Sequence, residues 1–161
     1  MSALRVLIDT NIVRALSSDP DTLLMVKRLQ ASGAIELLVT HIQADELAKA
    51  AFHVCQTAKT LDLIMLHASG LAWDLSNGGR SDWPDATTEQ RLGRAQGDKG
   101  KGLWADTLMS VTAMGAADVF ATNDKDARNA ARRIVAEDVL KLLIWDYADF
   151  VGHVETLYAS W

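Results

Sequence analysis

The opening of the chain limits its fold more than any other stretch. Residues 4–8, Leu-Arg-Val-Leu-Ile, form a short apolar run with one charge, and the carboxylate of Asp9 follows directly. Such a run is typical of a parallel sheet, whose strands are buried on both faces. Asp9 would then lie at the carboxyl end of its strand, which is the edge of an open α/β sheet where ligands bind.

The remainder of the chain alternates strands with helices. Asp19 and Pro20 predict the start of a helix that continues to about Ala31 and ends at Gly33. Further strands are predicted at three places, 36–40, 117–122 and 139–145. Further helices are predicted from a capping box at Thr40 and Gln43 to about Phe52 or Cys55, over 57–76 and 103–115, around 127–134, and over 146–159. This alternation predicts a three-layer α/β/α, Rossmann-like fold with a central, mostly parallel sheet.

Composition limits the setting in which the protein works. The 161 residues, 49% of them hydrophobic, are enough for one domain, 1–161, that buries its own core. The single cysteine, Cys55, excludes an internal disulfide, and we expect a cytoplasmic protein with no membrane-spanning segment. The net charge of −5 does not suggest a protein that coats nucleic acid, but it is compatible with acids that hold a divalent metal.

The segment at about 77–102 differs from the rest because it mixes glycine with arginine and lysine. One interpretation is a mobile surface insertion, and the other is a basic flap that contacts phosphates beside an acidic pocket. The candidates for contacts with a nucleic-acid backbone are Arg91, Arg94, Lys99, Lys101 and, further along, Arg128. Exposed basic residues are more often only solvated, so both interpretations stay open.

Acidic residues occur at four corresponding points of the predicted alternation. They are Asp9, then Asp45 or Glu46, then Asp106, and finally Asp124 or Asp126. Each could instead cap a helix or turn or remain solvated, although Asp106 lies on a largely apolar helix face. In a right-handed doubly wound sheet the four points converge on one edge.

The chemistry of these acids favours one class of ligand. Hard oxygen ligands without a histidine or cysteine pattern suit Mg²⁺ or Mn²⁺ rather than zinc. These ions generate hydroxide from water and neutralise phosphate, which is what phosphodiester hydrolysis requires. The sequence therefore predicts a metal-dependent phosphodiester hydrolase.

Four short motifs, in this order and spacing, resemble those of PIN-domain nucleases: Ile8-Asp9-Thr10-Asn11, Asp45-Glu46-Leu47, Ala105-Asp106-Thr107-Leu108, and the stretch from Ala117 to Asp126. The size of the chain resembles the VapC-type toxins of prokaryotic toxin–antitoxin pairs. The resemblance implies an endoribonuclease that uses Mg²⁺ or Mn²⁺ and leaves a 3′-hydroxyl and a 5′-phosphate. It also implies a small antitoxin partner and a homodimer.

The resemblance also assigns roles to individual residues. It implies that Asp9, Glu46 and Asp106 are the three core acids and that Asp124 is the fourth, with Asp126 able to supplement or replace it. Thr10, Asn11 and Thr122 match polar positions that support the acids. The segment at 77–102 is longer than expected of a minimal PIN domain, which leaves the substrate specificity and the dimer surface open.

Other functions fit the sequence less well, among them a receiver-like signalling domain, which the long basic segment and the region of Asp126 do not match. A phosphohydrolase of the haloacid dehalogenase kind needs a second acid two residues after the first, where this chain has Asn11. The alternative from another class is a non-catalytic PIN-fold module for protein pairing or RNA binding. The presence of all four acids counts against that module, although acids alone do not establish turnover.

Overall fold

The structure, a computed structural model, describes residues 2–69, 81–82, 112–113, 115–135 and 142–161. The segment predicted at 77–102 lies outside these ranges apart from Ser81 and Asp82. The helix predicted at 103–115 lies outside them apart from 112–113 and Gly115. Asp106 and the basic candidates at positions 91, 94, 99 and 101 therefore lie outside the described residues.

The described chain alternates strands with helices. The strands are β1 (Leu4–Ile8), β2 (Ile35–Thr40), β3 (Leu63–Leu66), β4 (Ala68–Ser69), β5 (Ser81–Asp82), β6 (Val119–Ala121) and β7 (Leu143–Trp145). The helices are α1 (Thr10–Leu16), α2 (Pro20–Ala31), α3 (His41–Ala48), α4 (Phe52–Thr60), α5 (Lys125–Val135) and α6 (Tyr147–Ala159). No helix within the described ranges has both the length and the apolar character needed to cross a bilayer.

The main sheet confirms the predicted fold class. Its five strands lie in the order β3-β2-β1-β6-β7, and every neighbouring pair is parallel. The short strands β4 and β5 form a separate parallel pair. Helices accompany the five-stranded sheet, and the protein has the three-layer α/β/α architecture.

The central strand β1 is buried on both faces, which explains its almost wholly apolar sequence. Val6 and Ile8 belong to the main core cluster, together with side chains from helices α1, α2, α3, α4 and α6. Leu7 points to the opposite face, where it is fully buried in register with Leu38 of β2 and Phe120 of β6. Burial on both faces is the property that favours a parallel sheet.

The ends of several elements follow the predicted local chemistry. The side chain of Asp19 accepts a hydrogen bond from a backbone N–H in the first turn of α2. Gly33, with φ of +73°, ends that helix in the left-handed conformation that glycine adopts most easily. Thr40 and Gln43 form the capping box of α3, and Asp146 caps α6.

Two helix predictions are wrong. The helix after β2 ends at Ala48 rather than at Phe52 or Cys55, and the extended backbone of Ala51 separates it from α4. The helix predicted over 57–76 ends at Thr60, and residues 63–66 instead form β3 at the edge of the sheet. A short apolar run, here Leu-Ile-Met-Leu, fits a helix or a strand equally well until a neighbouring strand such as β2 pairs with it.

Candidate functional site

Asp9 lies where β1 ends and α1 begins, and the residue is 6% exposed. The backbone N–H of Asp9 donates to the carbonyl of Ala121 at 3.0 Å, so the ends of β1 and β6 are joined. Oδ1 accepts the N–H of Thr10 at 2.7 Å, while Oδ2 accepts Nδ2 of Asn11 at 2.6 Å and the hydroxyl of Thr122 at 2.7 Å. These donors compensate the carboxylate for the water it loses on burial.

Glu46 is connected to Asp9 through one threonine. The hydroxyl of Thr10 lies 2.8 Å from Oε2 of Glu46 and 3.2 Å from Oδ1 of Asp9. A hydroxyl has one hydrogen, so it donates to one of the two carboxylates at a time. Glu46 comes from α3, whereas Asp9 follows β1, so Thr10 links acids supplied by two separate strand–helix units.

Asp124 is connected to Asp9 through the buried hydroxyl of Thr122. That hydroxyl accepts the backbone N–H of Asp124 at 3.1 Å while it donates to Asp9. Oδ1 of Asp124 accepts the N–H groups of Asp126 and Ala127 at 2.7 and 3.2 Å and so caps α5. Oδ2 of Asp124 has no hydrogen-bond partner in the part of the chain that the structure describes.

Asp126 occupies a different position from Asp124. Both residues are exposed, but Asp126 lies in the first turn of α5, and it contacts the Asp124 carboxylate through its backbone N–H. Of these two candidates for the fourth acid, Asp124 is the one that bonds to Thr122 and so joins the hydrogen-bond network of Asp9.

A second set of hydrogen bonds connects the site to α6. Oδ1 of Asn11 accepts the N–H of Asn123 at 2.9 Å, and Oδ1 of Asn123 accepts the N–H of Tyr147 at 2.8 Å. The Tyr147 hydroxyl then donates to Oδ2 of Asp19 at 2.9 Å. Sequence reasoning missed Asn123 and Tyr147, because their partners lie in distant segments of the chain.

The hydrogen bond between Tyr147 and Asp19 changes the pKa of both side chains. Burial and the bond to Asp19 raise the pKa of the Tyr147 phenol above its usual value of 10.0. Burial acts to raise the pKa of Asp19, but hydrogen bonds from Thr22 and Tyr147 outweigh it and lower that pKa below 3.8.

The remaining predicted basic residue, Arg128, makes a hydrogen bond within the protein. Its Nη1 donates to the backbone carbonyl of Thr122 at 3.1 Å, and its side chain is half-buried. This contact places Arg128 beside the acids, with its other guanidinium nitrogens making no hydrogen bond within the described ranges.

A cleft of about 290 Å³ opens next to Glu46. Its lining comprises Thr10, Arg14, Glu46, Leu47, Lys49, Ala50 and Val54. Sequence reasoning missed Arg14 and Lys49, although helical spacing could have indicated them. Arg14 follows Thr10 by four residues and Lys49 follows Glu46 by three, so each shares a helix face with a predicted site residue.

The site offers hard oxygen donors from Asp9, Glu46 and Asp124. Among the described residues, no three acidic, histidine or cysteine side chains are grouped closely enough to hold a metal ion by themselves. The arrangement can nevertheless orient carboxylates, because Thr10 and Thr122 fix the spacing between one acid and the next.

Fold and site together define an α/β/α protein with hydrogen-bonded carboxylates at the carboxyl edge of its parallel sheet. Comparisons with protein-family models, with curated proteins and with solved structures gave no match. The resemblance to PIN-domain nucleases therefore stays a prediction from the four sequence motifs.

Proposed function

We propose that this protein is a Mg²⁺- or Mn²⁺-dependent endoribonuclease and that it acts as the toxin of a toxin–antitoxin pair. One observation supports the nuclease most directly. A continuous set of hydrogen bonds runs from Glu46 to the Thr10 hydroxyl, from the Thr10 N–H to Asp9, and through the Thr122 hydroxyl to Asp124, at the sheet edge where α/β proteins bind ligands. The toxin role, a small antitoxin partner and a homodimer rest on the resemblance alone.

The donor set fits the proposed metal. Carboxylate oxygens are the ligands that Mg²⁺ and Mn²⁺ prefer, and the acids in the network offer oxygens that are not fully used. Mg²⁺ usually keeps several waters and is bound directly by one or two carboxylates. Asp9, Glu46 and Asp124 would therefore hold the ion partly through its waters, with Asp106 as the further candidate from the sequence. When bound, such an ion activates water and neutralises the phosphate that is attacked.

The chain's own residues supply orientation and proton transfer. Asn11 and Thr122 hold the Asp9 carboxylate from one side, so its rotamer is set before any ligand arrives. The α5 cap fixes Oδ1 of Asp124 and leaves Oδ2 available. Glu46 is exposed beside the cleft, and in our proposal it orients the attacking water and accepts its proton.

Replacing Asp124 with asparagine tests the proposal against a matched control. Asparagine caps a helix about as well as aspartate, so Asp124→Asn keeps the α5 cap and removes the charge. A mixed pool of single-stranded RNA would be incubated with Mn²⁺ or Mg²⁺, and separately with a chelator. We expect Asp124→Asn to lose more cleavage than the roughly 10–100-fold that loss of an outer supporting partner costs.

Asp126→Asn is the control, because it removes the same charge from a side chain that is two residues after Asp124, exposed and outside the network. It should cleave at close to the wild-type rate, and the chelator should stop cleavage by both proteins. Equal cleavage by wild type and Asp124→Asn would contradict the assignment of Asp124. Cleavage that persists in chelator would contradict a metal-dependent reaction.

A further inference from the structure

The cleft beside Glu46 contains the two cations Arg14 and Lys49. Within the described residues, Arg5 pairs with Glu36 at 3.3 Å and Arg28 contacts Tyr158. By contrast, the side chains of Arg14 and Lys49 make no hydrogen bond or ion pair in that part of the chain. Both side chains are exposed, so their charges are available to an anionic ligand.

The two cations lie close to the acidic site along the chain. Arg14 is one helical turn after Thr10 in α1, and Lys49 directly follows α3, just under one turn after Glu46. An anionic polymer that approaches Glu46 and Asp9 meets two carboxylates, which repel it. Arg14 and Lys49 in the same cleft offset that repulsion.

The apolar part of the cleft lining suits the nucleobases of a single strand. Leu47, Ala50 and Val54 make it apolar, and Phe52 begins the next helix with 79% of its surface exposed. Proteins that bind single-stranded nucleic acid combine cations along the backbone with aromatic rings on which bases stack. Phe52, three residues after Lys49 along the chain, supplies an exposed ring, and the two cations make no ion pair within the described ranges, so the segment offers this combination.

We propose that this cleft binds single-stranded RNA next to the phosphodiester that is cut, with Arg14 and Lys49 on its phosphates and Phe52 stacked on a base. The inference rests on the proposed nuclease function for the identity of the ligand. It assigns substrate binding to residues outside the acidic network, and they act by binding rather than by chemistry.

Binding can be measured without cleavage. A fluorescent single-stranded RNA would be titrated by anisotropy, in chelator, at several salt concentrations, with wild type and with the double variant Arg14→Gln and Lys49→Gln. Each phosphate contact on single-stranded nucleic acid contributes about 0.7 to the slope of log K against log salt, so the slope should fall by about 1.4. Phe52→Ala should weaken binding roughly 5- to 150-fold and leave the slope unchanged.

Lys27→Gln with Lys59→Gln is the matched control, because it removes the same two charges from exposed positions that do not line the cleft. This control should bind RNA with the wild-type slope. An equal fall in the salt slope of both double variants would show that RNA binding responds only to the net charge of the protein, and it would overturn the proposed cleft. Unchanged binding in the Arg14 and Lys49 variant would also overturn it, as would a wild type that binds no RNA.

The same proteins separate this inference from the nuclease proposal. If wild type binds RNA through the cleft but cuts none with Mg²⁺ or Mn²⁺, the cleft stands and the nuclease fails. If wild type cuts RNA while the Arg14 and Lys49 variant binds it normally, the nuclease stands and the cleft fails. That second result is the one expected of a cleft that accepts a protein partner instead.

Discussion

Replacing Thr122 with valine removes one buried hydroxyl and keeps nearly the same side-chain shape. That hydroxyl donates to Oδ2 of Asp9 at 2.7 Å and accepts the N–H of Asp124 at 3.1 Å. A hydrogen bond to a charged group contributes about 1.5–3 kcal/mol, and Thr122 is fully buried, so water cannot replace it. We expect Thr122→Val to lower the free energy of unfolding by about 2–3 kcal/mol.

Urea denaturation measures this loss, and calorimetry should show a melting temperature roughly 4–12 °C lower. Thr57→Val is the control, because Thr57 is also buried and its hydroxyl donates to the neutral carbonyl of His53 at 3.0 Å. A neutral hydrogen bond contributes about 0.5–1.5 kcal/mol, so the control should lose less. Equal losses in the two variants would refute the reasoning that the Asp9 charge strengthens the Thr122 bond.

A double-mutant cycle isolates the contact itself. If Thr122 stabilises the protein through Asp9, then Thr122→Val should cost less in an Asp9→Asn background than in wild type. Directly bonded pairs show coupling energies of about 0.5–3 kcal/mol. Additive losses would mean that the two side chains act independently, and the network described here would not hold the carboxylate.

Three further predictions concern pH and metal. Tyr147→Phe should raise the pKa of Asp19 by removing a donor, which carboxyl ¹³C NMR titration would show, while an unchanged pKa would mean that the other hydrogen bonds to Asp19 suffice. Because folding lowers the pKa of Asp19, its contribution to stability is present above about pH 3.8 and is lost as the pH falls further. Because folding raises the pKa of Tyr147, its contribution is present below pH 10.0 and is lost as the pH rises further. Urea midpoints measured against pH should therefore fall at both ends of the pH range. Mn²⁺ at about 100 times its Kd should stabilise wild type by about 2.7 kcal/mol in a thermal shift, and a similar shift in Asp9→Asn would contradict binding at that carboxylate.

Local sequence chemistry predicted much of the fold and the starting point of the site. The apolar run before Asp9, the cap at Asp19 and the left-handed Gly33 are each determined by a few neighbouring residues, and the structure has all three. The strand β3 was not predictable in the same way. Its residues become a strand because β2 pairs with them, and no signal within the run itself shows that partner.

The same distinction between local sequence signals and contacts between distant segments applies to the site. Residue types and order indicated which acids would approach one sheet edge, whereas the hydrogen bonds that connect them depend on contacts between distant segments. Asn11, for example, is adjacent to the first acid in sequence, but its carbonyl oxygen binds the N–H of Asn123, 112 residues away. The cations Arg14 and Lys49 were missed for another reason, since exposed basic residues are too common for their spacing alone to single them out.

The position of β1 in the middle of the sheet has a consequence for the order of assembly. Asp9 is made before Thr122, which holds it and follows 113 residues later. At about 5–20 residues per second, that interval is roughly 6 to 23 s. During this time β1 lacks its neighbour β6, and Asp9 and Glu46 lack Thr122 and Asp124, so the site is incomplete. The complete network forms only after Asp124 has been made.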